Sequence, residues 1–284
     1  ALRLACIYPT SAYREVVSWK PMPGHWNGNV VCRDDALEIP LHWRKPRKIF
    51  VCSMSDLFHP KVPFEFIDKV MAVIALCPQH TFQILTKRPG RMAEYFGECN
   101  HLGCGLGDRI SNGIANSANV PPTEIRKNWP LPNLWLGTSI SNQADADKNI
   151  PILLQIPAAV RFVSLEPMLE RINIREYEEE EWRCDGCGEF YSHFQDYTCN
   201  HCGYAERHSE YRNQLDWVII GCESGPKARL CSIGDIRNAV RQCKEAGVPV
   251  FVKQIPIDGK CSKDPKEWPK DLRVQDYPKE SRNA

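Results

Sequence analysis

Six short apolar runs, each ending in a polar cluster, constrain this chain more than any other feature of it. They read KIFVC (48–52), TFQIL (81–85), LWL (134–136), VRFV (160–163), WVII (217–220) and VPVFV (248–252). Near-continuous apolar strands mark a sheet buried on both faces. Amphipathic stretches lie between them. Residues 63–76 carry Phe66, Ile67, Val70 and Ile74 at helical spacing. Residues 232–246 carry Ile233, Ile236, Val240 and Cys243, and Gly247 follows as a helix stop. Strands that alternate with helices predict an α/β fold with a parallel sheet. A chain of 284 residues has room for one large domain or two ordinary ones.

The polar clusters carry the functional signal. They are Ser53-Met54-Ser55-Asp56, Thr86-Lys87-Arg88, Gly137-Thr138-Ser139, Ser164-Leu165-Glu166-Pro167, Gly221-Cys222-Glu223-Ser224-Gly225 and Lys253-Gln254. In parallel sheets and α/β barrels, the carboxyl ends of the strands form the ligand site. The clusters are therefore expected to converge on one pocket, the plainer reading being ordinary turn and cap residues. Glu166 and Glu223 each end an apolar strand. A carboxylate there can hold a ribose hydroxyl or an ammonium group, or act as a base. An ion pair with Lys87, Arg88 or Lys253 is compatible with any of these, because pocket charges are usually paired. The chain has no phosphate loop ending in Lys-Ser/Thr, no G-x-S-x-G and no H-E-x-x-H. That argues against a nucleotide hydrolase, an α/β-hydrolase or a zincin.

Two segments break the rhythm. Residues 97–132 are Gly- and Asn-rich and read as a long loop or lid. Within them, Cys99-Asn100-His101 and Cys104 fit no metal-ligand spacing and read as loop. Residues 176–211 read as an insertion, opening on the acidic run 178–181. It holds two C-x-x-C knuckles, Cys184 with Cys187 and Cys199 with Cys202, eleven residues apart and each followed by Gly. Such spacing brings four thiolates to the corners of a tetrahedron, which predicts a structural zinc. Phe190, Tyr191, Phe194, Tyr197 and Tyr204 supply a core too small to hold itself without metal. The other cysteines of the fourteen sit mostly alone in apolar surroundings, among them Cys52, Cys77, Cys222 and Cys243. That pattern points to a reducing compartment, hence the cytoplasm. No apolar run approaches the roughly 18–20 residues of a membrane span, and no secretory signal opens the chain. Lys+Arg numbers 36 against 35 Asp+Glu, so only a local basic patch would favour nucleic acid.

Taken together, IFVCSMSDLFHPKVP, FQILTKRPGRM, LWLGTSISNQ, VRFVSLEPML, DWVIIGCESG and VPVFVKQ resemble a phage-associated protein family of uncharacterised function. That family is recognised by an N-terminal three-cysteine motif and is a relative of the radical S-adenosylmethionine (SAM) enzymes. The resemblance spans residues 1–255 and includes a zinc ribbon before the WVIIGCESG strand. It implies a partial (β/α)6 TIM-like barrel at 1–175 and 212–256 with the ribbon at 176–211, and the Lys-, Asp- and Pro-rich tail at 257–284 reads as a C-terminal surface extension. The resemblance also implies SAM and a 4Fe–4S cluster on three cysteines, whose open iron chelates SAM before a 5′-deoxyadenosyl radical forms.

By strand order, the resemblance places Ser53, Ser55 and Asp56 at the amino group of SAM. It places Thr138, Ser139 and Glu166 at its ribose and carboxylate, and Gly221 and Glu223 beside its adenine. The chain departs from the family in two ways. It has no three-cysteine motif, and ALRLAC reads as the middle of an uncapped helix, so it is expected to be a fragment lacking its N-terminus. Cys222 also stands where the family often has Gly. The expected function is a radical-SAM-like enzyme of unknown substrate, with a nucleic acid or a protein as partner and no membrane. The competing readings are a non-catalytic nucleic-acid- or protein-binding module and a cluster-independent barrel lyase or hydrolase.

Overall fold

The computed structural model describes residues 17–18, 25–52, 55–101, 130–174, 178–184, 190–191, 207–213, 215–225, 228–229 and 231–278. The chain divides into two units, Ala1–Trp135 and Leu136–Ala284. Strands and helices alternate in both, which makes the fold α/β.

The first unit opens on a two-stranded antiparallel ribbon, β1 (Val17–Ser18) with β2 (His25–Trp26). A short helix α1 (Asp34–Leu37) and a 3-10 turn at Ile39–His42 lead into β3 (Lys48–Val51). Helix α2 (Phe64–Leu76) then carries the chain to β4 (Thr81–Thr86), which pairs parallel with β3 from Lys48↔Thr81 to Val51↔Ile84. A parallel pair needs such a crossover. Ile67, Val70, Met71 and Ile74 of α2 are buried, one stripe at helical spacing. Pro78 follows its end and cannot continue it. Helix α3 (Pro89–His101) is tied to α2 by a hydrogen bond from Tyr95 Oη to the buried Asp68 carboxylate, 2.8 Å. Phe58, Phe64, Tyr95 and Phe96 pack with ring centroids 5.0–6.3 Å apart.

Two expectations are corrected here. The loop read from residue 97 begins later, because α3 runs through Gly97, Cys99 and Asn100 to His101. The sequence signal failed because Gly and Asn are poor helix formers, yet the buried Met92, Tyr95 and Phe96 anchor the helix. Residues 102–129 lie outside the described residues. KIFVC is not buried on both faces either. Lys48 and Phe50 are exposed, Phe50 by 42%, so β3 has one solvated side.

Strand β5 (Leu134–Ile140) crosses the division between the units. In the second unit, helix α4 (Gln143–Leu154) leads to β6 (Val160–Leu165), and helix α5 (Ile233–Glu245) joins β10 (Trp217–Gly221) to β11 (Val250–Ile257). A final strand, β12 (Lys260–Ser262), gives the order β12-β11-β10-β6-β5. Strands β6, β10 and β11 run parallel, with Val218 opposite Val163 on one side and Val250 on the other. Both α4 and α5 begin on side-chain caps: Asn142 accepts from the Asp145 amide and Ser232 from the Gly234 amide. The insertion forms β7 (Glu178–Cys184), β8 (Phe190–Tyr191) and β9 (Arg207–Asn213), an antiparallel sheet in the order β8-β7-β9.

The segment from Ile257 is not a surface extension. Ile257 ends β11, and β12 returns antiparallel along it. Trp268 is 1% exposed and Leu272 is fully buried. The chain then comes back to β11: Val252 donates its amide to Val274 O and Asp276 donates to Val250 O. The Lys-, Asp- and Pro-rich composition reflects the outer side of this segment; the buried Trp268 and Leu272 decide where it packs.

Candidate functional site

The carboxyl ends of β5, β6 and β10, with Lys253 and Gln254 from the middle of β11, carry the cluster of groups best suited to a ligand. Glu166 follows β6. Its carboxylate accepts from Lys253 Nζ at 2.8 and 3.0 Å and from Gln254 Nε2 at 3.1 Å. Gln254 is 2% exposed, and the same Nε2 reaches Cys222 O at 2.5 Å. The Glu166 side chain is 21% exposed and that of Lys253 51%, so the pair meets solvent on one side. Ser139, at the end of β5, donates its Oγ to Glu166 O at 3.3 Å, and Thr138 is buried beside it in sequence.

Gly221 ends β10 against this cluster. A Cβ there would stand 3.3 Å from both Gln254 Cγ and Glu166 Cδ. Its carbonyl accepts from Met168 N at 3.1 Å, which fixes the turn after Glu166. Thr138, Ser139, Glu166 and Gly221 therefore come from strand ends of one unit. The structure adds Lys253 and Gln254 to them. Lys253 was legible as one of three cations offered to the glutamates. Gln254 had no signal, since a buried amide hydrogen-bonding to a neighbouring strand end leaves no mark in sequence.

Glu223 has a different environment. It accepts from the Arg229 amide at 2.8 Å, Arg229 Nε at 2.9 Å and Arg229 Nη2 at 3.2 Å. The Arg229 guanidinium and amide hold its carboxyl far below the ordinary range, at about 2. None of the cations expected for Glu223 is its partner; a residue six positions on clasps it. Cys222, next to Glu223, is 2% exposed, and burial pushes its thiol up to about 12. Cys231 and Cys243 are pushed to about 11 and about 12 for the same reason. Thiols held protonated in this way are poor nucleophiles at neutral pH.

In the first unit, Asp56 is saturated. One carboxylate oxygen accepts from the Phe58 amide at 2.9 Å and Thr86 Oγ1 at 2.7 Å. The other accepts from the Lys87 amide at 3.1 Å and Arg88 Nη1 at 2.7 Å. The 55–58 turn is thereby tied to the end of β4, and the carboxylate serves to position it. Ser55 is exposed and donates its amide to Cys52 O at 3.0 Å. Ser53 lies outside the described residues.

Of the zinc set, Cys184 ends β7, and Cys187, Cys199 and Cys202 lie outside the described residues. Cys184 pairs across the sheet with Arg207, the first residue of β9. Among the described residues, no group of three or more His, Cys, Asp or Glu side chains is arranged to hold a metal. A hollow of about 290 Å³ lined by Arg171, Ile172, Asn173, Asn238, Arg241 and Gln242 shares no residue with the Glu166 cluster.

A family model described as a protein of unknown function (DUF5131) matches residues 8–271. The chain belongs to that family. No curated protein and no solved structure matches it. Among the described residues, no helix of this DUF5131 protein is long and apolar enough to cross a membrane.

Proposed function

We propose that this DUF5131 protein binds S-adenosylmethionine at the Glu166 cluster and is a radical-SAM-type enzyme of a phage-associated lineage. The observation that carries SAM binding is the carboxylate of Glu166, held by Lys253 and Gln254 beside a strand end with no side chain at Gly221. A zwitterion bearing a hydroxylated sugar needs such a set. Lys253 offers an ammonium to a carboxylate. Glu166 offers acceptors to an ammonium or a ribose diol. Ser139 offers a hydroxyl, and the absence of a side chain at Gly221 lets Glu166 and Gln254 pack against the end of β10. Asp56 contributes by shaping its turn and Glu223 by holding Arg229.

The radical-SAM class rests on the resemblance of the strand-end motifs. A 4Fe–4S cluster of that kind needs three thiolates with one iron left open. The described cysteines supply no such set, so the cluster does not fit them.

The zinc assignment stands on the knuckle spacing and on one structural support. Cys184 and Arg207 are cross-strand partners, so the described strands lead into both knuckle-bearing segments from the same end of the sheet. The reading includes a reducing, cytoplasmic setting, which agrees with the free cysteines among the described residues. A binding module without catalysis is the second reading, and the exposed basic segment at residues 43–48 favours it.

Calorimetry with SAM, and with adenosine and methionine as controls, tests the main reading. The intact protein should bind SAM saturably. Glu166→Ala should cost about 1.5–3 kcal/mol, the range for a hydrogen bond to a charged group. Absence of SAM binding by a folded, anaerobically prepared protein transfers the assignment to the binding module.

A further inference from the structure

We propose that the loop at residues 43–48 is a nucleic-acid-binding site that takes the phosphate backbone of a single strand. This inference stands apart from the SAM reading, since it uses other residues in the other unit. The loop reads Trp43-Arg44-Lys45-Pro46-Arg47-Lys48, four cations in six residues of a chain whose net charge is only +1. Residues 44–48 are exposed and Trp43 is half-buried.

Two of the four cations are seated on tryptophan rings. The Arg47 guanidinium lies 4.3 Å over the Trp43 ring, and the Lys48 ammonium is 5.9 Å from the Trp135 ring. The Trp43 ring is itself seated, meeting the buried His80 ring edge-on at 6.0 Å. His80 bonds to Pro40 O at 3.2 Å, and Arg47 O accepts from the Thr81 amide at 2.9 Å. Pro46 fixes its own φ between the two pairs of cations. The loop is therefore preorganised, and a ligand does not have to order it.

Three of its four cations, Arg44, Lys45 and Arg47, also have no acidic partner among the described residues. Of the acidic residues just upstream, Asp34 is paired with Lys69 at 2.7 Å and Asp35 with Arg33 at 2.5 Å, and among the described residues Glu38 forms no ion pair with the loop. Fixed, like-charged groups repel one another, and a polyanion relieves that repulsion. Guanidinium groups match phosphate geometry in particular. A short loop has no helix or ribbon to enter a duplex groove, which favours a strand that can bend to follow it. The loop precedes β3, whereas the Asp56 turn follows it, so the site is at the amino end of that strand.

Fluorescence anisotropy with a labelled oligothymidine and the whole chain tests this. Binding is expected at 50 mM salt. For four phosphate contacts it should weaken roughly 50-fold by 200 mM, from a slope of about −0.7 per contact on single strands. Arg44→Gln/Lys45→Gln/Arg47→Gln should lose at least tenfold in affinity. Lys263→Gln/Lys266→Gln/Lys270→Gln, which removes equal charge elsewhere, should bind as the parent does. If the first triple variant does not fold, Arg44→Gln/Lys45→Gln keeps the Arg47–Trp43 pair and should reduce the salt slope by about 1.4. Equal losses in both triple variants, an unchanged slope, or no binding at 50 mM salt would overturn the proposal. Displacement of the oligonucleotide by polyglutamate at equal charge would overturn it in favour of an acidic protein partner.

Discussion

Glu166, Glu223 and Asp56 are alike in sequence, each a carboxylate just past an apolar strand, and their surroundings separate them. Asp56 receives four hydrogen bonds and has no acceptor site to offer. Glu166 is bonded on one side by Lys253 and Gln254 and meets solvent on the other. Glu223 is clasped by a single arginine. That clasp has a pH signature. Its folded-state carboxyl titrates at about 2 against an ordinary 4.5. A lowered value stabilises the folded form above the unfolded value, and that contribution is lost as pH falls from about 4.5 toward 2. Carbon-detected NMR titration of Glu223 should give a midpoint near the lower value. Arg229→Ala should return it toward the ordinary range. A midpoint already ordinary in the parent protein would show that the clasp does not persist in solution.

The elements succeed where local chemistry and packing agree. Helix α5 starts on Ser232 and ends on Gly247 at φ +67°. There Gly247 N donates to Lys244 O and Val248 N to Cys243 O, a Schellman closure. Gly247 is thus explained by backbone conformation. Gly137 in β5 is explained by a neighbour. A Cβ at that position would stand 2.6 Å from the ring of the fully buried Phe162 on β6. Gly137→Ala should therefore destabilise the fold by about 1–3 kcal/mol, the usual cost of overpacking. Chemical denaturation measures it, and the smaller Phe162→Leu should recover part of the loss in the double variant. Additive losses would mean that the ring is not what excludes the methyl group.

For the whole molecule, the division of labour is between packed α/β units and an inserted sheet that needs help. Strands β7, β8 and β9 carry the acidic run 178–181 on a central strand, and a small sheet of this kind has little core of its own. Zinc on Cys184, Cys187, Cys199 and Cys202 would supply the missing stabilisation. Elemental analysis should give about one zinc per chain, the count for a closed four-thiolate site. Cys187→Ala should lower it while the helical circular dichroism of the remainder is retained. Full zinc occupancy in that variant rules out this ligand set. The C-terminal segment is integrated in the opposite way, without metal. Trp268 and Leu272 are buried, and its backbone bonds to β11.

The α/β class, the strands at 81–86, 160–165 and 217–221, and the course of α5 were legible in residue order, because each rests on local periodicity and on caps within a few residues. Lys253 was one of three cations, with Lys87 and Arg88, that residue order offered as partners for the glutamates, and the tertiary structure selects it for Glu166. The placement of Gln254, the Arg229 clasp and the contact between Gly137 and Phe162 could not be named in advance. Each depends on which side chain faces which across a strand pair or a turn, and register sets that, not composition. The end of α3 and the packing of Trp268 show the same limit. Gly, Asn, Lys and Pro report what solvent tolerates, whereas a few buried aromatic and apolar side chains decide where the backbone goes.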